Sequence, residues 1–203
     1  MKNSEQLNAL SAIKFPLMIC IVCIHVQCSS IYGTFDWYVI HFLGEIVGRI
    51  GVPLFLFISG FMFFTNISKD YSIKDFLLKY KGKIIRRLRT LVIPYVLWNL
   101  IAIPFALIKD GIEFNFSTFI HCFWDYSRDG TWFFPVNGVL WFLRDLFIVS
   151  CLSPVMFLLL KFCKASMLLL LIILLFIFHN DTFLDRSIIV SFICFLMGGG
   201  NIF

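Results

Sequence analysis

Two ionisable side chains, Lys14 and His25, lie eleven residues apart in the first apolar stretch of the chain. In an α-helix this separation turns the chain by about 20° more than three full turns and advances it by about 16 Å. Both side chains are therefore expected on one face of one helix. Histidine exchanges protons most readily near neutral pH, so His25 is a candidate general base or covalent nucleophile. Lys14 is a candidate cation for holding an anionic or polar donor.

Each of these residues also has a simpler interpretation. Lys14 could begin a membrane helix and extend its ammonium group to the water layer. His25 could lie at the opposite membrane boundary as an interfacial residue. Ionisable groups inside membrane helices are costly, however, and are functional hypotheses by default. The shared helix face makes the pair more informative than either residue alone.

The elements that carry these side chains are predicted to be transmembrane α-helices. The chain of 203 residues is 60% hydrophobic and 14% charged, whereas soluble domains are about 45–50% apolar and about 25% charged. The apolar runs are continuous rather than alternating, which favours helices over barrel strands. We predict an all-α polytopic helical bundle with six spans, at residues 10–28, 42–64, 91–108, 140–160, 165–178 and from 187 to the end.

The charge distribution predicts an orientation for these spans. Residues 66–89 read as a loop with many cations, Lys69, Lys74, Lys79, Lys81, Lys83, Arg86, Arg87 and Arg89, against Asp70 and Asp75. The positive-inside rule places such a loop in the cytoplasm, with the N-terminus on the same side and residues 109–138 on the other. A multi-pass protein of the inner (plasma) membrane is therefore expected. This accounts for the net charge of +5 without a nucleic-acid partner. Alternatively, some of these cations bind an anionic substrate or lipid head group.

Other polar residues within the apolar runs are candidates for a supporting role. Glu45 and Arg49 have the i, i+4 spacing of a helical ion pair. Ser59 and the glycine after it favour close helix contact, or a turn lining a substrate path. Arg144 and Asp145 are adjacent, so their side chains leave a helix about 100° apart. That geometry predicts partners for them on other helices.

No metal site or permanently bound cofactor is expected from the sequence. Cys20 and Cys23 form a CxxC pair, but it lies inside an apolar helix and has no second pair nearby. Cysteine in such a position packs as a small apolar side chain.

Four segments, taken in order, resemble a known family. They are Lys14 and His25 with ten residues between them, the run VPLFLFISGF at 52–61, the run RRLRTLVIP with Arg86 and Arg89 before Pro94, and GVLWFLRDLF at 138–147. This pattern is similar to that of the membrane acyltransferase family called acyltransferase type three. The family usually carries Arg at the position of Lys14, and Lys lacks the bidentate fork of a guanidinium.

The resemblance implies a reaction and a set of roles. Acyl-CoA, as acetyl-CoA, would be the cytoplasmic co-substrate, and a hydroxyl of an envelope polysaccharide or lipid-linked sugar would be the acceptor. His25 would be catalytic, while Lys14, Arg86 and Arg89 would bind the donor. The family has about ten helices against the six predicted here, so residues 1–203 resemble one membrane domain that is incomplete at its C-terminus. We therefore expect no activity from the chain alone. A transporter or channel, or an inactive fragment, remains the alternative.

Overall fold

The computed structural model describes residues 2–25, 32–68, 70–110, 113–126, 134–162, 169, 173 and 186–202. Within that part of the chain the regular structure is helical and no strand occurs. The helices are α1 (Lys2–Ile24), α2 (Phe35–His41), α3 (Arg49–Phe64), α4 (Ile73–Arg87), α5 (Ile93–Asp110), α6 (Phe116–Trp124), α7 (Trp141–Cys151), α8 (Ser153–Phe162) and α9 (Arg186–Gly198). The chain forms two compact units, Met1–Lys69 with Val190–Phe203, and Asp70–Ile189.

Helices α2 and α3 are parts of one continuous helix, Phe35–Phe64, of 30 residues. Thr34 caps its start, because its hydroxyl oxygen accepts a hydrogen bond from the N–H of Trp37 at 3.4 Å. A π-helical segment, Phe42–Gly48, joins α2 to α3. At 1.5 Å per residue the helix is about 45 Å long, more than the hydrocarbon core requires.

Helices α4 and α5 likewise form one helix, Ile73–Asp110, of 38 residues. A capping box begins it: the Ser72 hydroxyl accepts from the N–H of Asp75 at 3.2 Å, and the Asp75 carboxylate accepts from the N–H of Ser72 at 3.2 Å. A π-helical segment, Leu88–Val92, joins the two parts. The prediction of a loop over residues 66–89 is therefore wrong for most of that segment. Its charged residues lie on an amphipathic helix, α4, that continues directly into the apolar α5.

Helices α7 and α8 meet at a bend of 53° beside Leu152. Pro154, the second residue of α8, has no N–H to continue the ladder of α7, and its ring favours a helix start. The predicted fourth span, residues 140–160, is thus a broken helix rather than a straight one.

In the described residues, two helices are long and apolar enough to cross a membrane, or three if the bent α7–α8 pair counts as one span. Two shorter apolar helices, Asn8–Ile24 and Ile188–Gly198, accompany them. The protein is thus an α-helical membrane protein, while the number of six spans stays a prediction. The predicted fifth span, residues 165–178, lies outside the described residues except for Leu169 and Ile173.

Glycines bring α1 against the helix that carries α3. A Cβ added to Gly48 would lie 2.6 Å from Cγ1 of Ile24 and 2.9 Å from the carbonyl oxygen of Cys20. A Cβ on Gly51 would lie 3.0 Å from the Cβ of Cys20. Small residues in membrane helices allow the two backbones to approach this closely. The resulting van der Waals contact stabilises the helix pair, because the hydrophobic effect does not favour helix association in lipid.

Glycines also bring α3 and α9 into close backbone contact within the first unit. A Cβ on Gly60 would collide with the carbonyl oxygen of Phe195, and one on Gly198 would collide with the carbonyl oxygen of Phe57. The rings of Phe63 and Phe195 pack beside this crossing, with their centroids 5.6 Å apart. The prediction that Ser59 and Gly60 permit close helix contact is confirmed for Gly60.

Candidate functional site

The face of α1 that carries Lys14 and His25 packs inward. Leu17 and Ile21, which lie between them at spacings of three and four residues, are buried. His25 follows the last residue of α1 in a turn, where its N–H donates to the carbonyl oxygen of Val22 at 3.0 Å. The predicted common face thus exists up to the end of the helix.

Lys14 is half-buried and lies against α3. Its Nζ is 5.6 Å from the ring centroid of Phe55, within the range of a cation–π contact. Phe55 is itself buried. The Lys14 ammonium group is therefore directed toward the neighbouring helix rather than along the lipid-facing side of α1.

His25 is half-buried, and its Nε2 atom is fully so. This nitrogen has no hydrogen-bond partner among the residues that the structure describes. Buried polar atoms are nearly always paired, so an exception of this kind needs an explanation. A neutral imidazole nitrogen in this position can accept a hydrogen bond or a proton from a molecule that enters the site.

Arg49 and Ser59, the supporting candidates of the second predicted span, both lie on α3. Ser59 is 1% exposed, whereas Arg49 is exposed. The ion pair predicted for Glu45 and Arg49 is not tested, because the side chain of Glu45 lies outside the described part of the chain.

Arg86 and Arg89, the predicted donor-binding cations, lie at the end of α4 and in the π-helical segment after it. Both are exposed. Between them Arg87 turns the other way and donates from Nη1 to the hydroxyl of Ser150 on α7, at 2.5 Å. Ser150 is completely buried, and its hydroxyl donates in turn to the carbonyl oxygen of Leu146.

Three side chains on one face of α4 contact α7 and α8. Phe76 stacks on Phe157 of α8 with ring centroids 4.3 Å apart, and the Tyr80 hydroxyl donates to the carbonyl oxygen of Cys151 at 3.2 Å. With Arg87 these residues mark the packed face of α4. This role of Arg87 was not predicted from the sequence, although the spacing of Phe76, Tyr80 and Arg87 on one face would have indicated it.

Arg144 and Asp145 form a buried ion pair on α7. The Nε and Nη2 atoms of Arg144 both lie 2.9 Å from Oδ1 of Asp145, and the two side chains are 5% and 0% exposed. The prediction that their partners lie on other helices is wrong for this pair, because the long Arg side chain folds back to its neighbour. It is right for one contact: Arg144 Nη1 donates to the carbonyl oxygen of Trp124 on α6, at 3.1 Å.

Buried polar groups of α5 complete this cluster. Asn99 is 0% exposed, donates to the carbonyl oxygen of Tyr95 at 2.8 Å and accepts from the N–H of Asn137 at 3.1 Å. The Tyr95 hydroxyl donates to the carbonyl oxygen of Phe123 on α6. Neither Asn99 nor Tyr95 was among the candidates predicted from the sequence. Their polar side chains one helical turn apart in an apolar run were the available signal.

The candidate residues are divided between the two compact units. Lys14, His25, Arg49 and Ser59 belong to the first unit, whereas Arg86, Arg89, Arg144 and Asp145 belong to the second. In the first unit Lys14 is half-buried and Ser59 is buried. In the described residues, no three His, Cys, Asp or Glu side chains are grouped so that they could hold a metal ion.

Comparisons with known proteins agree with the resemblance found in the sequence. The succinoglycan biosynthesis protein ExoH of Rhizobium meliloti (strain 1021) is 31% identical over 171 residues, which are 79% of this chain and 43% of that protein. The chain thus spans less than half the length of this curated relative. No solved structure matches the chain. A family model described as an acyltransferase domain matches residues 7–200, and the chain therefore belongs to the acyltransferase type three family.

Proposed function

We propose that this chain, as part of a larger assembly, takes part in the transfer of an acyl group, acetyl in the simplest case, from cytoplasmic acyl-CoA to a hydroxyl of an envelope polysaccharide or lipid-linked sugar. The observation that carries the proposal is His25, whose buried Nε2 has no hydrogen-bond partner in the described residues. Membership of the acyltransferase family supports the class of reaction. The similarity to a succinoglycan biosynthesis protein of Rhizobium supports a polysaccharide acceptor.

His25 has the chemistry that such a transfer needs. Its neutral imidazole would take the proton from the acceptor hydroxyl while the hydroxyl oxygen attacks the thioester carbonyl. The C–S bond then breaks, and the imidazolium returns the proton to the CoA thiolate. In the second route the imidazole itself attacks the thioester carbonyl, the C–S bond breaks, and the ring N–H proton passes to the CoA thiolate, which leaves an acyl-imidazole. The acceptor oxygen then takes the acyl group, and the hydroxyl proton returns to the imidazole. Both routes end with the same ester and CoA thiol.

Arg86 and Arg89 would bind the donor by its phosphates. Guanidinium groups form charge-assisted and bidentate hydrogen bonds with phosphate oxygens. Both side chains are exposed at one end of α5, and the Arg87–Ser150 contact fixes the helix turn that carries them. Lys14 would supply a single point charge on α1, the helix that His25 directly follows.

The first experiment measures acyl transfer in native membranes that contain the chain and any proteins it assembles with, supplied with radiolabelled acetyl-CoA and a polysaccharide acceptor. We expect His25→Ala to lower the rate by about 10²–10⁴-fold, the usual contribution of general acid–base catalysis. His121→Ala is the matched control, because His121 is half-buried on α6, in the second unit. Near-normal transfer by His25→Ala, with the acyl-CoA requirement intact, would show that His25 is only an interfacial residue.

The second experiment tests the donor site with charge-matched variants of α4 and the π-helical segment after it. The double variant with Arg86→Gln and Arg89→Gln removes two positive charges, as does the control with Lys74→Gln and Lys81→Gln. All four side chains are exposed. We expect the arginine variant to raise the KM for acyl-CoA well above the lysine variant, and added salt to have a partial effect of the same kind. Equal KM values for acyl-CoA in the two variants would show that the arginines contribute only through their general positive charge.

A further inference from the structure

Four aromatic side chains form a cluster at the start of the helix Phe35–Phe64, in the first unit. Trp37 is the centre of this aromatic cluster, and its ring stacks on that of His41 with centroids 4.8 Å apart and 8° between the planes. The rings of Tyr32 and Tyr38 form edge-to-face contacts with Trp37, with centroids 4.6 and 5.1 Å from its own. Tyr32 is 80% exposed and Tyr38 is 57% exposed, so both tyrosine rings present open surface.

The aromatic cluster lies on the side of this helix that contacts α1. A Cβ added to Gly44 would lie 3.4 Å from the carbonyl oxygen of Cys23, and one on Gly48 would lie 2.9 Å from that of Cys20. The later glycine meets the earlier cysteine, so the two helices run antiparallel. Trp37 precedes Gly44 by seven residues, or about two helical turns, and therefore lies on the same side of the helix.

The register of the two helices places the aromatic cluster just beyond His25. His25 is two residues past Cys23, about 3 Å along the helix axis, and Trp37 is about 10 Å from Gly44 in the same direction. Because Gly44 and Cys23 are in contact, the centre of the cluster lies about 7 Å beyond His25 along the axis. A chain of sugar rings that rests on the cluster can therefore extend a hydroxyl to His25.

The chemistry of the aromatic cluster and its surroundings fits a sugar. The C–H groups of a sugar ring are attracted to the negative face of an aromatic ring. Asp36 is exposed in the first turn of the same helix, and its carboxylate can accept hydrogen bonds from sugar hydroxyls. The same carboxylate is repelled by anionic lipid head groups. The π-helical segment Phe42–Gly48 begins directly after the cluster, and such segments are frequent at functional sites.

We propose that the aromatic cluster binds a sugar ring of the acceptor, next to the ring whose hydroxyl is acylated. This inference rests on the proposed function, because it takes His25 as the place of acyl transfer. The exposed rings of Tyr32 and Tyr38 stack on the sugar, and Trp37 holds both in position through its contacts with them. The acceptor is therefore a chain of at least two sugar rings rather than a single sugar.

The test measures the binding of oligosaccharides to the full chain, purified in lipid nanodiscs with any proteins it assembles with and without acyl-CoA. The oligosaccharides are released from the envelope polysaccharide of the cells that make the chain. We expect Tyr32→Ala to raise the dissociation constant about tenfold, the effect of losing one stacked ring, and Tyr32→Phe to keep most of the affinity. Trp37→Ala should have a larger effect, because both tyrosine rings lose their contact with the indole. Trp98→Ala removes an exposed indole from α5 and should leave the affinity unchanged.

The outcomes of this test separate the sugar site from the proposed function. His25→Ala should keep the oligosaccharide affinity while it loses acyl transfer, because the ring contacts do not involve the imidazole. Equal affinity in the wild-type chain, Tyr32→Ala and Trp37→Ala would overturn the sugar site and show that the cluster is an interfacial aromatic belt, whatever the result for transfer. An equal loss of affinity in Trp98→Ala would also overturn it. Loss of affinity in the cluster variants alone, with normal transfer by His25→Ala, would support the sugar site and overturn the role of His25.

Discussion

The two compact units hold their helices together by different means. In the first unit, α1, α3 and α9 meet through glycines, and their backbones approach so closely that a single added Cβ would collide. In the second unit, α4 to α7 are linked by buried side-chain hydrogen bonds, with Asn99, Arg144 and Asp145 as the main groups. Lipid gives membrane helices no hydrophobic reason to associate, so close packing and polar contacts are the available alternatives.

This difference bears directly on function. Glycine packing in the first unit needs no polar side chains, so a polar atom buried there, such as Nε2 of His25, has another reason to be present. In the second unit Arg144 and Asn99 are engaged in contacts that fix α6 and the start of α7. A buried charge in a membrane span is therefore a functional signal only after its structural contacts have been counted.

The largest effect is expected from breaking the ion pair of the second unit. Asp145→Asn would leave the Arg144 guanidinium in a buried site without its carboxylate, at a cost of about 3–5 kcal/mol in the free energy of unfolding. Denaturant unfolding of the purified chain in detergent micelles measures this cost. Asp110→Asn is the control, since Asp110 is exposed and should cost less than about 1 kcal/mol. Equal costs for the two variants would show that the buried pair does not hold this unit.

A smaller loss is expected from the glycine crossing of the first unit. Gly60→Ala places a methyl group against the carbonyl oxygen of Phe195, so α3 and α9 must separate. Overpacking of this kind costs about 1–3 kcal/mol. Gly82→Ala is the matched control, because nothing lies within 4 Å of its added Cβ and it lies inside α4. Alanine is the better helix former by about 1 kcal/mol, so the control should be stabilised. The same sign for both substitutions would contradict the role of close backbone contact.

The smallest effect concerns a hydrogen bond at the end of α5, which the Tyr126 hydroxyl donates to Oδ2 of Asp110 at 2.6 Å. Burial raises the pKa of Tyr126 to about 12, and this hydrogen bond acts in the same direction. Because the folded pKa lies above the ordinary value of 10.0, this stabilisation is complete below that pH and is lost as pH rises toward 12. The difference in tyrosinate absorbance between the wild-type chain and Tyr126→Phe should titrate near the higher value. Titration near the ordinary value would show that the contact with Asp110 is absent in solution.

Several features of the fold were predictable because they depend on local sequence. Continuous apolar runs require backbone hydrogen bonds to close within each segment, and this predicted the helices that the structure describes in those runs. The spacing of Lys14 and His25 predicted their common face for the same reason, since side-chain direction in a helix depends only on sequence separation. The role of Gly60 was predictable because glycine in a membrane helix commonly allows another helix to approach closely.

Other features were not predictable because local sequence contains two competing signals. Residues 66–89 have the charge of a loop and the spacing of an amphipathic helix, and the packing of Phe76 on Phe157 decides for the helix. Arg86, Arg87 and Arg89 are chemically alike, yet only the position of Ser150 assigns Arg87 to a structural contact. Arg144 has enough rotatable bonds to reach either its neighbour or another helix, and the backbone geometry does not choose between them.

By itself, the sequence determined that this protein is a helical membrane protein of the acyltransferase type three family, with Lys14 on the first helix and His25 directly after its last residue. Only the tertiary structure decided which polar groups are already engaged: Arg87 with Ser150, Arg144 with Asp145 and Trp124, and Asn99 with Asn137. The physical reason is that helix formation and side-chain direction follow from bonds between near neighbours. The pairing of a buried polar group depends instead on which atoms of distant segments fold within about 3 Å of it.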